Sequence, residues 1–314
     1  MKKYRLYVEP NKMRFSSELV LLGGLLKDEP QDSILAQNYK GETRYKNIRK
    51  VADSLFMYTD KIKEADAVVL PYKLKGTYDP YLIKIMRLAS QFNLKTYAFY
   101  NDDDEKVYNL PSRLTLFRTS ISKNSNMVNE FALPAFVPDF FENDYLLQNC
   151  YTCGFCGKTN NIRERVLNNL SKSDLDTDFI QRNGFWAPEI LNKMEARRDF
   201  INNIRNNTLT LCVRGEGNFS YRFFEVLMMA RIPLLINTGT KIPFYENIKD
   251  HLCFIEIEEK DLPNICWKKL KHSFLRKSIH ERYLLLKGNR EIWKSYFTPT
   301  GFLQQFYNFL KNDT

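Results

Sequence analysis

The stretch TLTLCVRGEGNFSYRFFEVLMMARIPLLI, residues 208–236, decides the fold. It opens on TLTLCV (208–213), a short apolar run of the kind that forms a buried strand, and then crosses Arg214-Gly215-Glu216-Gly217 and a polar turn. SYRFFEVLMMA (220–230) follows, with Phe223, Val226, Leu227 and Ala230 at the i, i+3, i+4, i+7 spacing of one helix face. IPLLIN (232–237) closes the unit as a second strand. Strand, helix and strand in so short a span require a crossover, so the two strands run parallel.

The same alternation recurs on either side of this stretch. YRLYV (4–8), EADAVVLPY (64–72) and KTYAFY (95–100) read as strands, separated by helical periods over KNIRKVADSLFMYTDKI (46–62) and YLIKIMRLASQFN (81–93). FALPAFVPDFFENDYLLQN (131–149) carries two prolines and little periodicity, which marks a junction. The alternation then restarts with CGFCG (153–157) as a strand, IRERVLNNLSK (162–172) as a helix and HLCFIEIE (251–258) as a strand. The pattern predicts an α/β chain of two Rossmann-like parallel-sheet domains facing a cleft. Residues 1–145 form the first domain and 146–290 the second, and a terminal segment, 291–314, has an aromatic helix face at 301–312 that packs back on the first.

Bulk properties agree with a folded protein of that size. The chain has 314 residues, 44% hydrophobic and 14% aromatic, so each half can bury a core. The net charge of +10 is scattered and favours anionic partners generally, including an acidic membrane face as a peripheral contact. A nucleic-acid-binding role is the rival of another class, but the aromatics fall at core spacing and no nucleic-acid motif is present, so no nucleic-acid partner is expected. No stretch approaches the ~20 apolar residues of a spanning helix, and the opening MKKYRLYV is too short for a signal core, so a cytoplasmic protein or a soluble catalytic fragment is expected. Cys150, Cys153 and Cys156 form a C-x2-C-x2-C run, but no fourth Cys or His nearby completes a cluster, and YTCGFCG reads as a buried strand with structural thiols.

The chemistry concentrates after Val213. Gly215 and Gly217 let backbone approach a ligand, and the helix opening at Ser220 and Tyr221 presents unpaired N–H groups that favour an anion. Arg222 and Glu225, three apart, share a polar face. A guanidinium on the first turn can grip a diphosphate, and a carboxylate one turn deeper can accept from ribose hydroxyls. A solvated turn followed by an ordinary amphipathic helix is the alternative.

The segment R-G-x-G-x-x-S-Y-R-F-x-E (214–225), followed by I-P-L-L-I and then P-F-Y-E at 243–246, resembles the donor nucleotide-sugar site of the exostosin-type glycosyltransferases. RLYVEPNKMRFSSELV (5–20), ADAVVLPY (65–72), LPAFVPDF (133–140) and CGFCGKTNNIRERVL (153–167) are similar to other marked segments of that family. The resemblance implies a GT-B-like architecture and an inverting transfer from a nucleoside diphosphate sugar, UDP first, to a hydroxyl of a growing glycan. It implies a donor site of Arg163, Arg214, Gly215, Gly217, Ser220, Tyr221, Arg222 and Glu225. The leaving diphosphate needs charge stabilisation from a metal or from fixed cations, and Asp102-Asp103-Asp104 lies in the first half, away from that motif, so the arginines are expected to supply it with no obligatory metal and no cofactor. Inversion needs a base from the first domain: Glu9 at the end of the first strand, then Asp102 and Asp103, with Asp79 behind them. Pro243, Tyr245 and Glu246 stand where the donor sugar can be contacted. The chain lacks the membrane anchor of the family's Golgi members, so a bacterial or viral origin is expected. A fucosyltransferase using a GDP donor is the enzymatic alternative.

Overall fold

The computed structural model describes residues 2–14, 19–30, 43–74, 79–106, 110–121, 125, 129–143, 145, 151–184 and 187–312; Cys150, residues 146–149 of the junction and residues 15–18 of the first similar segment lie outside them. Among the described residues eleven strands form two sheets. The first holds β1 (Tyr4–Tyr7), β2 (Phe56–Thr59), β3 (Ala67–Val69), β4 (Thr96–Tyr100), β5 (Leu114–Arg118) and β6 (Glu130–Ala132), in the order β2-β1-β3-β4-β5-β6. The second holds β7 (Thr152–Lys158), β8 (Asp176–Arg182), β9 (Leu209–Cys212), β10 (Ile232–Asn237) and β11 (Ile255–Glu258), in the order β11-β10-β9-β7-β8. Every pairing is parallel.

The helices are α1 (Ile48–Leu55), α2 (Pro80–Gln91), α3 (Asn161–Ser171), α4 (Lys193–Asn206), α5 (Tyr221–Met228), α6 (Tyr245–Ile248), α7 (Trp267–Leu275), α8 (Ile279–Ile292) and α9 (Pro299–Asn312). Counting strands within each sheet, both halves begin with the order 2-1-3-4-5. They are two Rossmann-like domains, each with a crevice where the order reverses: between β1 and β3 in the first, between β7 and β9 in the second.

Two expected elements differ. The helix read over 46–62 stops at Leu55, and Phe56–Thr59 turns extended to pair with the edge of β1, Tyr4 opposite Phe56 and Tyr7 opposite Thr59. Phe, Met, Tyr and Thr there gain a ladder and bury Phe56, and the Tyr58 hydroxyl donates to the carbonyl of Leu21 at 2.6 Å. The strand read over 251–258 forms only from Ile255, because His251 and Leu252 still donate to the Ile248 carbonyl and close the turn after α6.

The second sheet is buried through β9 and β10, whose residues are fully enclosed. α5 covers it with Phe223, Val226 and Leu227. Cys153 and Cys156 lie buried in β7 and Cys212 in β9, and burial pushes all three thiols up, so they pack as neutral groups. After α8 the chain makes a π-turn at Trp293–Phe297 and enters α9, whose Phe302, Leu303, Phe306, Tyr307 and Leu310 join the core of the first domain with Leu6, Tyr97 and Phe99. The ring of Phe306 meets Tyr97 edge-on at 5.4 Å and Phe117 at 5.3 Å. The Tyr307 hydroxyl donates to the Lys2 carbonyl at 2.7 Å. Chain start and chain end are thus fastened together, and the crossing from the second domain to the first holds the two halves to one another.

Candidate active site

At the carboxyl edge of the second sheet β7 ends on Lys158, and a turn leads to Asn160, whose side chain caps α3 by accepting from the Arg163 N–H at 3.0 Å. That cap sets Arg163 on the first turn, facing back over the crevice between β7 and β9. Its guanidinium donates to the carbonyls of Lys158 at 2.7 Å, Val213 at 3.2 Å and Arg214 at 3.2 Å, sewing the two strand ends together. No carboxylate is among these partners. Burial, with Arg222 nearby, pulls Arg163 down to about 10, and the group is still a cation at neutral pH. A guanidinium carries five N–H donors, so carbonyls leave it able to take an anion as well.

Arg222, on the first turn of α5, lies over the ring of Phe155 at 4.6 Å and that of Phe200 at 5.4 Å, and donates through Nη2 to the Cys156 carbonyl. Its Nε is buried with no hydrogen-bond partner among the described residues. Gly157 makes room for it, since a Cβ there would sit 2.7 Å from Arg222 Nη2. Glu225 follows one turn deeper. Ser220 is buried at the N-cap of α5 with no capping bond from its hydroxyl, and Tyr221 is exposed at the mouth.

These residues enclose a cavity of about 310 Å³. Lys158, Arg163, Arg182, Lys193, Arg197 and Arg222 line it against the acids Asp103, Glu216 and Glu225, with Ala187, Ala196, Phe200 and Phe219 as apolar wall. Part of the positive charge is answered locally: Arg182 pairs with Asp199 at 2.6 Å, and Lys158 approaches Glu216 at 3.9 Å. Lys193 instead donates to the carbonyls of Ala187 and Ile190, at 2.7 and 2.8 Å. The excess of cations, a helix N-terminus and a flat apolar wall together suit a compact polyanion joined to a planar group. Sequence patterning does not single out Lys158, Arg182, Lys193, Arg197 or Phe200. The available signals are slight: Lys158 belongs to the G-K-T-N-N turn, and Lys193 and Arg197 are an i, i+4 pair after the capping Asn192.

The first domain reaches the cavity through its acidic loop. Arg118, buried at the end of β5, pairs with Glu130 at 2.9 Å and donates to the carbonyls of Asp104 and of Lys106, the latter at 2.8 Å. That clamp presents Asp103 to Gly217, where a Cβ would meet Asp103 Oδ1 at 2.6 Å and its Cα at 2.8 Å, so only glycine permits this approach. Partial burial and the neighbouring Asp102 hold the Asp103 carboxyl above the usual carboxylate range, partly offset by the Gly217 N–H. Next to it the Asn218 N–H donates to Ser120 Oγ at 2.8 Å.

The remaining predicted residues are placed as follows. Gly215 lines the cavity, with ordinary space between it and Arg163. Arg214 is turned to the first domain, where it pairs with Glu105 and donates to the Glu216 carbonyl at 2.8 Å, and it is not among the cavity-lining residues. Glu9 and Asp102 do not line the cavity either. Glu9 follows β1 at the crevice of the first sheet and accepts from the Tyr7 hydroxyl at 3.2 Å; burial and Glu9 push that phenol up to about 12. Asp102 is exposed, its carbonyl accepting from Thr119 Oγ1 at 3.2 Å. Asp79 is occupied in capping α2, accepting from the N–H groups of Tyr81 and Leu82 and from the Tyr72 hydroxyl. Pro243, Tyr245 and Glu246 line a different cavity, of about 610 Å³, between β6 and α6.

Residues 138–285 match the family described as the RXYLT1 C-terminal domain. Exostosin-1c of Danio rerio is 30% identical over 108 residues, 34% of this chain and 14% of that protein. Exostosin-1a of the same organism is 29% identical over 103 residues, 32% of this chain and 13% of that protein. The chain thus spans about a seventh of the length of these relatives. Among solved structures, Anabaena Alr3699/HepE in complex with UDP-glucose aligns over 99% of this chain and 100% of its own at 10% identity and a TM-score of 0.40. A glycosyltransferase from Rickettsia africae ESF-5 aligns over 99% of both chains at 11% identity and a TM-score of 0.41. Likeness this distant adds nothing to the two-sheet architecture read directly from the strands.

Proposed function

We propose that this chain, similar to the exostosins and to the RXYLT1 C-terminal domain through its second half, transfers a sugar from a nucleoside diphosphate to a hydroxyl of a glycan. The observation that carries the proposal is the cation-rich cavity at the strand-order reversal of the second sheet, where α/β domains take their ligands. The diphosphate lies against Lys158, Arg163 and Arg222 at the start of α5, and Glu225 accepts from the ribose. UDP is the proposed nucleotide, on the sequence likeness.

In the proposed reaction the acceptor oxygen attacks the anomeric carbon from the side opposite the leaving group, and the carbon–oxygen bond to the diphosphate breaks. The hydroxyl proton passes to a first-domain carboxylate. Asp103 is the base that best fits, because it borders the cavity and its raised pKa makes it a stronger proton acceptor than an ordinary aspartate. Glu9, at the crevice of the first sheet, is the second choice. Negative charge growing on the leaving diphosphate is met by the fixed guanidinium and ammonium groups, which supports a transfer that proceeds without an obligatory metal.

The test is nucleotide release from a panel of UDP-sugars and GDP-fucose with a mixed glycan acceptor pool, with and without EDTA, for the wild type and Asp103→Asn. Release from one UDP-sugar that survives EDTA and falls in the variant supports the reading. Release from GDP-fucose alone would select the fucosyltransferase alternative, and the absence of turnover and binding for every nucleotide would refute the assignment.

A further inference from the structure

Residues 267–280, WKKLKHSFLRKSIH, hold five Lys and Arg, two His and no Asp or Glu. The folded segment separates them by face. Trp267 is buried, and Leu270 and Phe274 pack on the second core, Phe274 against Tyr151 at 5.5 Å. Lys268, Lys269, Arg276 and Lys277 point to solvent, and Lys271 pairs with Asp176 at 2.8 Å. A three-residue elbow, 276–278, joins α7 to α8. At the start of α7 the Lys268 N–H donates to Asp174 at 3.3 Å; the Ser278 N–H donates to the Glu281 carboxylate at 2.7 Å, and Ser278 Oγ accepts from the Glu281 N–H at 3.2 Å, a reciprocal cap that fixes the elbow and engages Glu281. At its tip stands Ile279, 63% exposed, a large apolar side chain in the middle of a basic surface.

We infer that this elbow docks the protein on an anionic phospholipid surface, with Lys268, Lys269, Arg276 and Lys277 over the headgroup phosphates and Ile279 entering the boundary with the acyl chains. Clustered positive charge and one projecting apolar side chain are the two features such a contact uses together. The exposed aromatics that single-stranded nucleic acid would stack on lie elsewhere among the described residues, at Phe92, Phe131, Tyr221 and Tyr245. Position also fits. Asp176 opens β8 and Tyr151 precedes β7, so the elbow lies at the amino edge of the second sheet, the end opposite the cavity, and a membrane there leaves the cavity open.

The experiment is co-sedimentation of the full chain with vesicles of phosphatidylcholine alone and with phosphatidylglycerol added, alongside binding of a single-stranded oligonucleotide. Lys269→Glu/Arg276→Glu/Lys277→Glu is compared with Lys50→Glu/Lys84→Glu/Arg87→Glu, which changes the net charge equally at exposed sites on another domain. The wild type should bind only the anionic vesicles, the elbow variant at least about a hundredfold less and the control variant nearly as well, since each surface cation lost is worth about fivefold and each glutamate adds repulsion. Ile279→Glu should also weaken binding. Equal loss in both triple variants, no vesicle binding by the wild type, or an elbow variant that loses only the oligonucleotide would overturn the inference.

Discussion

Gly157→Ala separates the proposed binding role of Arg222 from its role in folding. An added Cβ would lie 2.7 Å from Arg222 Nη2, and the three nearest atoms all belong to that guanidinium. The end of a flexible side chain can move, so the variant should fold while Arg222 swings away from the cavity floor. For stability the loss is one hydrogen bond to the Cys156 carbonyl, ~1.5–3 kcal/mol when the donor is charged, offset by the ~0.4–1 kcal/mol gained when a glycine is replaced. The net is about 0.5–2.5 kcal/mol. Nucleotide binding should lose a charge-assisted contact of ~1.5–3 kcal/mol, which is about 10- to 150-fold in Kd. Titration calorimetry gives the second quantity and thermal unfolding the first. Arg222→Ala should weaken binding similarly, and the double variant should be no worse than the poorer single one, because both remove the same contact. Unchanged nucleotide affinity in Gly157→Ala would refute the assignment of Arg222 to the diphosphate.

Gly217→Ala pushes against Asp103 Oδ1 and its Cα, so it should part the two loops, lowering kcat with donor Kd nearly intact; steady-state kinetics and calorimetry check this. Arg118→Leu leaves Glu130 buried and unpaired and should cost ~3–5 kcal/mol by denaturant unfolding, with part recovered in Arg118→Leu/Glu130→Leu. For Asp103, whose carboxyl titrates above the usual range, kcat/KM should fall as pH drops through that raised value, and Asp103→Asn should lose the limb and most of the rate. The same shift has the opposite sign for folding. The folded carboxyl holds its proton more tightly than the unfolded one, so its contribution is full below the unfolded pKa and is lost as pH rises through the folded pKa.

What the sequence reveals follows the depth of burial. β4, β7, β9 and β10 are continuous apolar or near-apolar runs because neighbours flank them on both sides in the sheet. β8 is an edge strand carrying Asp176, Asp178, Gln181 and Arg182, so no apolar run marks it, and β2 continues a helical period without a break. α4 keeps Arg197 and Arg198 in its middle, so its apolar stripe is thin. The cavity inherits this unevenness. Its wall from α5 is legible as a glycine-flanked polar pair, whereas the wall from β8 and α4 depends on tertiary placement of ordinary basic residues. The Arg118 clamp on the acidic loop is likewise invisible along the chain, since its partners are mainly backbone carbonyls.

If fixed cations hold a nucleoside diphosphate in the cavity of the second domain, as proposed, affinity depends on Arg222 and not on a divalent metal. Calorimetric titration of the wild type and Arg222→Ala with UDP and GDP, in the presence of EDTA, tests it most directly. UDP should bind the wild type with or without EDTA and bind the variant at least tenfold more weakly, about the loss of one charged contact. Binding that vanishes with EDTA would contradict the fixed-cation account, and binding equal in both proteins would contradict the site.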